Sequence, residues 1–368
     1  MSVRKIGVEE EMLLVDPDTH RLTAVAHRAV RHHDGPEVEQ ELFLQQIETA
    51  TPPAASAEEL YAGIVAGRRA VGQAAEVAGA RAVAMGVPVL VDPDEHVTPK
   101  PRYERIKDEY GELAGQALAC AMHMHVDVTD DEEAVAVVDR VRPWLPVLLA
   151  LSANSPFWRG QDTGHASWRS QIWTRWPTGG PSQPYGGAAT YRETADRLVA
   201  WGAGLDTGML YFDVRVAESY PTVEVRVADV CTEVDDAVLV ALLARALVTT
   251  AAEDWRAGTP DGLAGSWRAD LLKAAHWRAG RYGTPGPLVH PVELALAPTR
   301  AAVDALLEHV GDALEEAGDE RTARQLFEQM LARGNGAVRR RSVLESSGSL
   351  TSVVQDLADR TEASWSPR

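Results

Sequence analysis

No stretch of this sequence stays apolar long enough to cross a membrane: the longest, around Pro143 to Ala153, falls far short of the ~20 residues a bilayer-spanning helix needs. Cysteine is nearly missing as well. Cys120 and Cys231 are too few and too far apart for a disulfide framework or a CxxC metal site, so buried free thiols in a reducing cytoplasm are expected. Positive charge is scarce, with 36 basic residues against 54 acidic ones and a formal charge of -18. That balance opposes attraction to nucleic acid or to an anionic membrane and points to small-molecule substrates. An acidic protein that handles anions must then focus positive charge locally, from arginine or from bound cations. Neither a Walker A sequence nor GxGxxG occurs, which argues against P-loop and Rossmann nucleotide binding. Arg4 and Lys5 lead directly into Glu9-Glu10-Glu11, so no apolar signal-peptide region is expected.

What is present has the profile of a globular protein, 45% apolar and 24% charged over 368 residues. No repeat or low-complexity linker divides it, the Pro-, Gly- and Ser-rich loop from Pro177 to Gly187 being too short to count as one. One catalytic unit over 1–368 is expected, mixed α/β over 1–234 and mainly helical over 235–368. Val3 to Val15 reads as a strand, Ser56 to Gly79 as a helix opened by the capping box Ser56-Ala-Glu-Glu59, and Arg81 to Leu90 as strand-like. Arg102 to Leu118 reads as helical, Met122 to Val128 as extended, and Asp131 to Leu151 as a helix bent at Pro143 and Pro146. Leu210 to Val216 and Thr222 to Val227 follow as antiparallel neighbours. Helices then cover about 235–256, 266–280, 298–317, 319–333 and 349–361. The fold class is α+β, a sheet with helices packed around it and a helical C-terminal third.

Three strands carry the candidate chemistry. The period of two puts Glu9 and Glu11 on one face of the first strand and Glu10 on the other. In Met122 to Val128 the residues His123, His125 and Asp127 alternate with apolar ones, and in Thr222 to Val227 the polar face holds Thr222, Glu224 and Arg226. Glutamates, two histidines and an arginine on one sheet face suit Mg2+ held through oxygens, with arginine on phosphate. Glu41 and Glu48 are positioned to add further oxygens. Gly334-Asn-Gly-Ala-Val-Arg-Arg-Arg341 reads as a flexible turn followed by a phosphate clamp, including Arg339 and Arg341. Arg169 and Arg175 sit among Trp168, Trp173 and Trp176, which suits carboxylate recognition, and the tryptophans, with Trp158, serve either as core or as an amine pocket.

These residues resemble the type 2 glutamate-cysteine ligases, the carboxylate-amine ligase family, which is distantly similar to glutamine synthetase in its sheet. The resemblance runs through Gly-Val-Glu-Glu-Glu at 7–11, Cys120 to Val128, Leu149 to Trp158, Gly160 to Gly164, Pro221 to Arg226, Trp277 to Gly283 and Gly334 to Ala337, in the family's order. It implies a funnel-shaped site on a curved, largely antiparallel sheet, with Mg2+ ions bridging the ATP phosphates. Glu9, Glu11, Glu41, Glu48 and Glu224 match metal ligands, His123 a position near metal and nucleotide, and Arg226 one near the transferred phosphate. Arg169, Arg175 and His125 would meet substrate. The implied reaction forms a γ-glutamyl amide from glutamate and an amine through an acyl phosphate, releasing ADP and phosphate. Two other readings stay open: a zinc-dependent hydrolase built on His123 and His125, and a binding protein without turnover. Small molecules are the expected partners, with neither nucleic acid nor membrane, and self-association is left open.

Overall fold

The computed structural model describes residues 3–31, 38–91, 96–263 and 265–366. Its main sheet contains β1 (Ile6–Val15), β2 (Val38–Gln40), β3 (Gln46–Ala50), β4 (Arg81–Val83), β5 (Ala121–Asp127), β8 (Val214–Val216) and β9 (Thr222–Asp229), while β6 (Phe157–Trp158) and β7 (Gln161–Asp162) form a separate hairpin. The spatial order is β2-β3-β1-β5-β9-β8, with β4 pairing the far end of β1. Every pairing within this open sheet is antiparallel. The alternation read from the sequence decides the two faces. Val8, Met122, Met124, Val126, Val223 and Val225 point into one hydrophobic cluster, against helices 131–141, 145–152 and 234–256. The opposite face holds the acids and histidines. Between Met122 and Met124 the register against β9 shifts by one extra β9 residue, a bulge opposite His123.

Several elements depart from the expected boundaries. The strand expected over 81–90 ends at Val83, because the backbone turns away to meet the Thr361 hydroxyl and Pro88 has no N–H to give a ladder. The helix expected over 102–118 breaks at Gly111, whose φ of 53° is in the left-handed region, into Pro101–Tyr110 and Glu112–Gly115. Asp131–Val141 and Leu145–Ser152 flank a 3-10 turn that contains Pro143, with Pro146 in the first turn of the second helix. Leu210 to Asp213 stay outside β8, since the Tyr211 N–H goes to the Thr178 hydroxyl at 3.0 Å and leaves the ladder unserved. The region 298–317 divides into Thr299–His309 and Gly311–Glu316, and Ala188–Ala200 is an unforeseen helix. Gly334 to Arg341 is not a flexible turn: Asn335 caps a helix, Gly336–Ser347, by accepting from the Val338 N–H at 3.2 Å.

Glu10, on the apolar side of β1, is held by the wholly buried Arg68 of helix 57–77 through bonds of 2.8 and 2.5 Å. The same guanidinium donates to the Cys231 and Thr232 carbonyls at 2.6 and 2.7 Å, so it ties β1 to the end of β9. A buried guanidinium with its carboxylate removed is an uncompensated charge. Glu10→Gln should therefore lower unfolding free energy by about 3–5 kcal/mol in a denaturant titration. Asp131→Asn, which breaks an exposed pair with Arg192, should change it by about 1 kcal/mol or less.

Candidate active site

Antiparallel register brings the polar residues of five strands together. Glu9 lies opposite His123 and Glu11 opposite Glu48, while His125 and Arg215 flank Glu224 from β5 and β8. Their side chains line a cleft of about 290 Å3 together with Glu41, from the loop after β2, and Arg226. Glu9 bridges the two histidines, with contacts of 3.5 Å to His123 Nδ1 and 3.3 Å to His125 Nε2. Glu224 accepts from Arg215 Nε at 2.6 Å and is paired directly with Arg226. Glu11 accepts from the Ala121 N–H at 2.7 Å and from Gln46 Nε2 at 3.1 Å.

Two carboxylate-rich groups result: Glu9, His125 and Glu224 form one, and Glu11, Glu41 and Glu48 the other, with ligating atoms within 4.8 Å of one another in each. The electrostatics of the groups differ. Burial opposes the charge on Glu9, but hydrogen bonds from His123 and His125 outweigh it and hold the carboxyl well below the usual range. Glu224 is likewise held low against burial, by Arg226 and Arg215. In the second group burial and the Glu41 charge push Glu11 up to about 8, and burial with Glu41 raises Glu48 well above its ordinary value. Burial and the neighbouring Arg226 lower His123 to about 4, so its imidazole is neutral near pH 7.

This donor set fits hard divalent cations: five carboxylates and a neutral imidazole converge, and in the second trio burial and the Glu41 charge outweigh the pull of Arg169 and Arg226 on Glu11. His123 Nε2 is buried with no hydrogen-bond partner among the described residues, a further unspent ligand atom. A zinc centre built on both histidines would instead leave most of these oxygens unexplained.

Several sequence candidates lie elsewhere. Arg169 is buried, but its guanidinium donates to the Arg226 carbonyl at 3.1 Å and sits 5.5 Å from the Trp173 ring, so it braces β9 and does not line the cleft. Arg175 is exposed over Trp168, outside the lining. The supposed phosphate clamp is committed to acids away from the cleft: Arg339 to Asp236 at 3.0 Å, Arg340 to Asp356 at 3.0 Å and Arg341 to Asp162 at 2.9 Å. Of the four tryptophans, Trp173 and Trp176 line the cleft, whereas Trp158 and Trp168 pack on each other outside it. Arg102, Tyr103, Tyr211 and Arg215 line it without having been singled out. For Arg215 a signal existed, since Val214-Arg-Val216 alternates as Glu224-Val-Arg226 does. The other three come from a helix and a loop, where no strand periodicity points inward.

The glutamate-cysteine ligase family 2 model matches residues 5–356. A Nocardioides protein provisionally named glutamate–cysteine ligase 2-1 is 47% identical over 99% of this chain and 97% of its own length. A counterpart from Streptomyces coelicolor, provisionally named glutamate–cysteine ligase 2, is 46% identical over 98% of this chain and the whole of its own. In fold, the chain resembles a glutamate–cysteine ligase from Francisella tularensis in complex with AMP, with a TM-score of 0.68 at 12% identity over all of this chain and 90% of that one. A bifunctional glutathione synthetase from Pasteurella multocida gives 0.71 at 15% identity, covering 99% of this chain and 52% of the other. The chain therefore belongs to glutamate-cysteine ligase family 2 and is an ATP-dependent ligase that forms an amide bond.

Proposed function

We propose that this ligase joins the γ-carboxylate of glutamate to an amine through an acyl phosphate, with Mg2+ bound by Glu9, His125 and Glu224 and by Glu11, Glu41 and Glu48. The observation that carries this reading is the pair of carboxylate-rich groups on one sheet face, beside Arg226 and Arg215. Bound Mg2+ would neutralise the repulsion between triphosphate and carboxylate and the charge gathered on the phosphoryl group in transfer. The protein's own residues do the rest. Arg226 holds a permanent positive charge beside Glu224, where it can follow the phosphoryl group without losing a proton. Arg215 and the histidines fix the Glu224 and Glu9 carboxylates in ionised, oriented form. Activation is required because a carboxylate is a poor electrophile, whereas phosphate is a good leaving group.

The direct test is ADP release that requires both glutamate and an amine, with the product identified by mass spectrometry. Glutamate-dependent hydroxamate formation with hydroxylamine would report the acyl phosphate. Turnover with ATP omitted would overturn the reading in favour of a hydrolase. Glu9→Gln and Glu224→Gln each remove one charge from the metal set, and turnover should fall at least about 100-fold, or roughly 3 kcal/mol of transition-state stabilisation. Normal turnover in both variants would exclude the assigned site.

Glu11 and Glu48 set a pH dependence. The Glu11 carboxyl, raised to about 8, holds a proton at neutral pH that a metal must displace, and burial with the Glu41 charge raises Glu48 in the same direction. Apparent Mg2+ affinity should rise from pH 6 to about 8 and level off above it, with proton release seen as a buffer-dependent heat in calorimetry. Glu11→Gln should flatten that rise.

A further inference from the structure

The cleft's charges and surfaces bear on the acceptor amine. Three guanidiniums line it among the described residues, and each has a commitment. Arg215 and Arg226 are both tied to Glu224. Arg102 forms a two-bond pair with Asp206 at 3.0 and 2.9 Å, and is the most exposed of the three. Phosphate and the α-carboxylate of the donor both need cations, and these arginines are the lining's supply. No further guanidinium or ammonium among the described lining residues remains for a carboxylate on the acceptor.

One end of the cleft is instead aromatic. Tyr211 packs at 4.7 Å from Trp173 and 5.2 Å from Trp176, and Arg226 lies 5.8 Å from both the Trp173 and Tyr211 rings. Tyr103 extends this surface and feels the charges of Glu41 and Glu48, so the aromatic end adjoins the second carboxylate trio. At the other end, beside His125, stands Tyr220, 65% exposed, where the outer part of a nucleotide can reach solvent.

We propose that the acceptor is an amine with an aromatic or bulky apolar body and no carboxylate, held against Trp173, Trp176 and Tyr211. The inference rests on the ligase reading above. In the step it serves, the amine nitrogen attacks the γ-carbonyl carbon of the glutamyl phosphate. The new C–N bond forms, the C–O bond to phosphorus breaks, and phosphate leaves with the electron pair and takes the proton that nitrogen sheds. The aromatic wall would position the nitrogen through stacking while leaving the phosphoryl chemistry to the sheet.

The experiment compares phenethylamine, phenylalanine and cysteine as acceptors with the full-length enzyme, ATP, Mg2+ and glutamate, using hydroxylamine as an acceptor too small to need the wall. Phenethylamine and phenylalanine differ only by the carboxylate. The expected kcat/KM for phenethylamine is about tenfold or more above those for phenylalanine and cysteine. In Trp173→Ala the ratio of phenethylamide to hydroxamate formation should fall about tenfold, and Trp173→Phe should restore most of it. If hydroxamate forms but cysteine or phenylalanine is preferred, the acceptor inference is overturned and the ligase reading stands. A Trp173→Ala enzyme whose defect is a higher KM for ATP, with the acceptor ratio unchanged, would assign the wall to the adenine and overturn it equally. Absence of hydroxamate would remove the glutamyl-phosphate reading and this inference with it.

Discussion

Repulsion among carboxylates governs this molecule. A chain with formal charge -18 gathers five glutamates over one side of one sheet, and in the trio of Glu11, Glu41 and Glu48 burial and mutual repulsion outweigh the nearby Arg169 and Arg226. Such a cluster is stable only with protons or metal ions to neutralise it. The two carboxylate groups meet this constraint differently. Arg215, Arg226 and the histidines keep Glu9 and Glu224 ionised, whereas Glu11 and Glu48 are raised by burial and mutual repulsion.

The surrounding structure supports that arrangement from behind. Asp229, fully buried at the end of β9, accepts from the Asn154 N–H at 2.9 Å and from the Ser155 and Ser167 hydroxyls at 2.7 Å each. Arg169 reaches the β9 backbone from the same region. The run from Leu149 to Trp158, with its Ser-Ala-Asn-Ser centre, thus works as a clasp on the strand that carries Glu224 and Arg226. The Asn154 amide N–H2 group and the Ser152 and Ser155 hydroxyls of the run are spent on internal bonds.

Much of the site was legible because strands expose their faces in the simplest periodicity there is. Alternation alone separates Glu9 and Glu11 from Glu10, and the fold bears this out by giving Glu10 to Arg68 on the other side. The same rule aligns His123 with His125 and Glu224 with Arg226. Arginines outside strands were harder to read. Charge and aromatic neighbours made Arg169 and Arg175 look like substrate contacts and the 339–341 group like a phosphate clamp, yet a guanidinium that finds a nearby carbonyl or carboxylate is absorbed by the scaffold, and only three-dimensional packing decides which. Tyr103 and Tyr211 were invisible for a related reason: they reach the cleft from a helix and a loop whose direction depends on Gly111 and Thr178.

The irregularity in β9 has an effect that strict alternation would forbid. Arg226 and Asp229 are three residues apart, so in a regular strand their side chains would emerge on opposite faces. The extra residue opposite His123 lets Val227 and Ala228 both enter the hydrophobic cluster and returns Asp229 to the side of Arg226. The anchor that clasps the strand and the guanidinium that faces the cleft therefore share one side of the sheet. Substitutions there can be graded, but a deletion at 226–228 would act like a gear losing one tooth, putting the anchor out of phase with the site it secures.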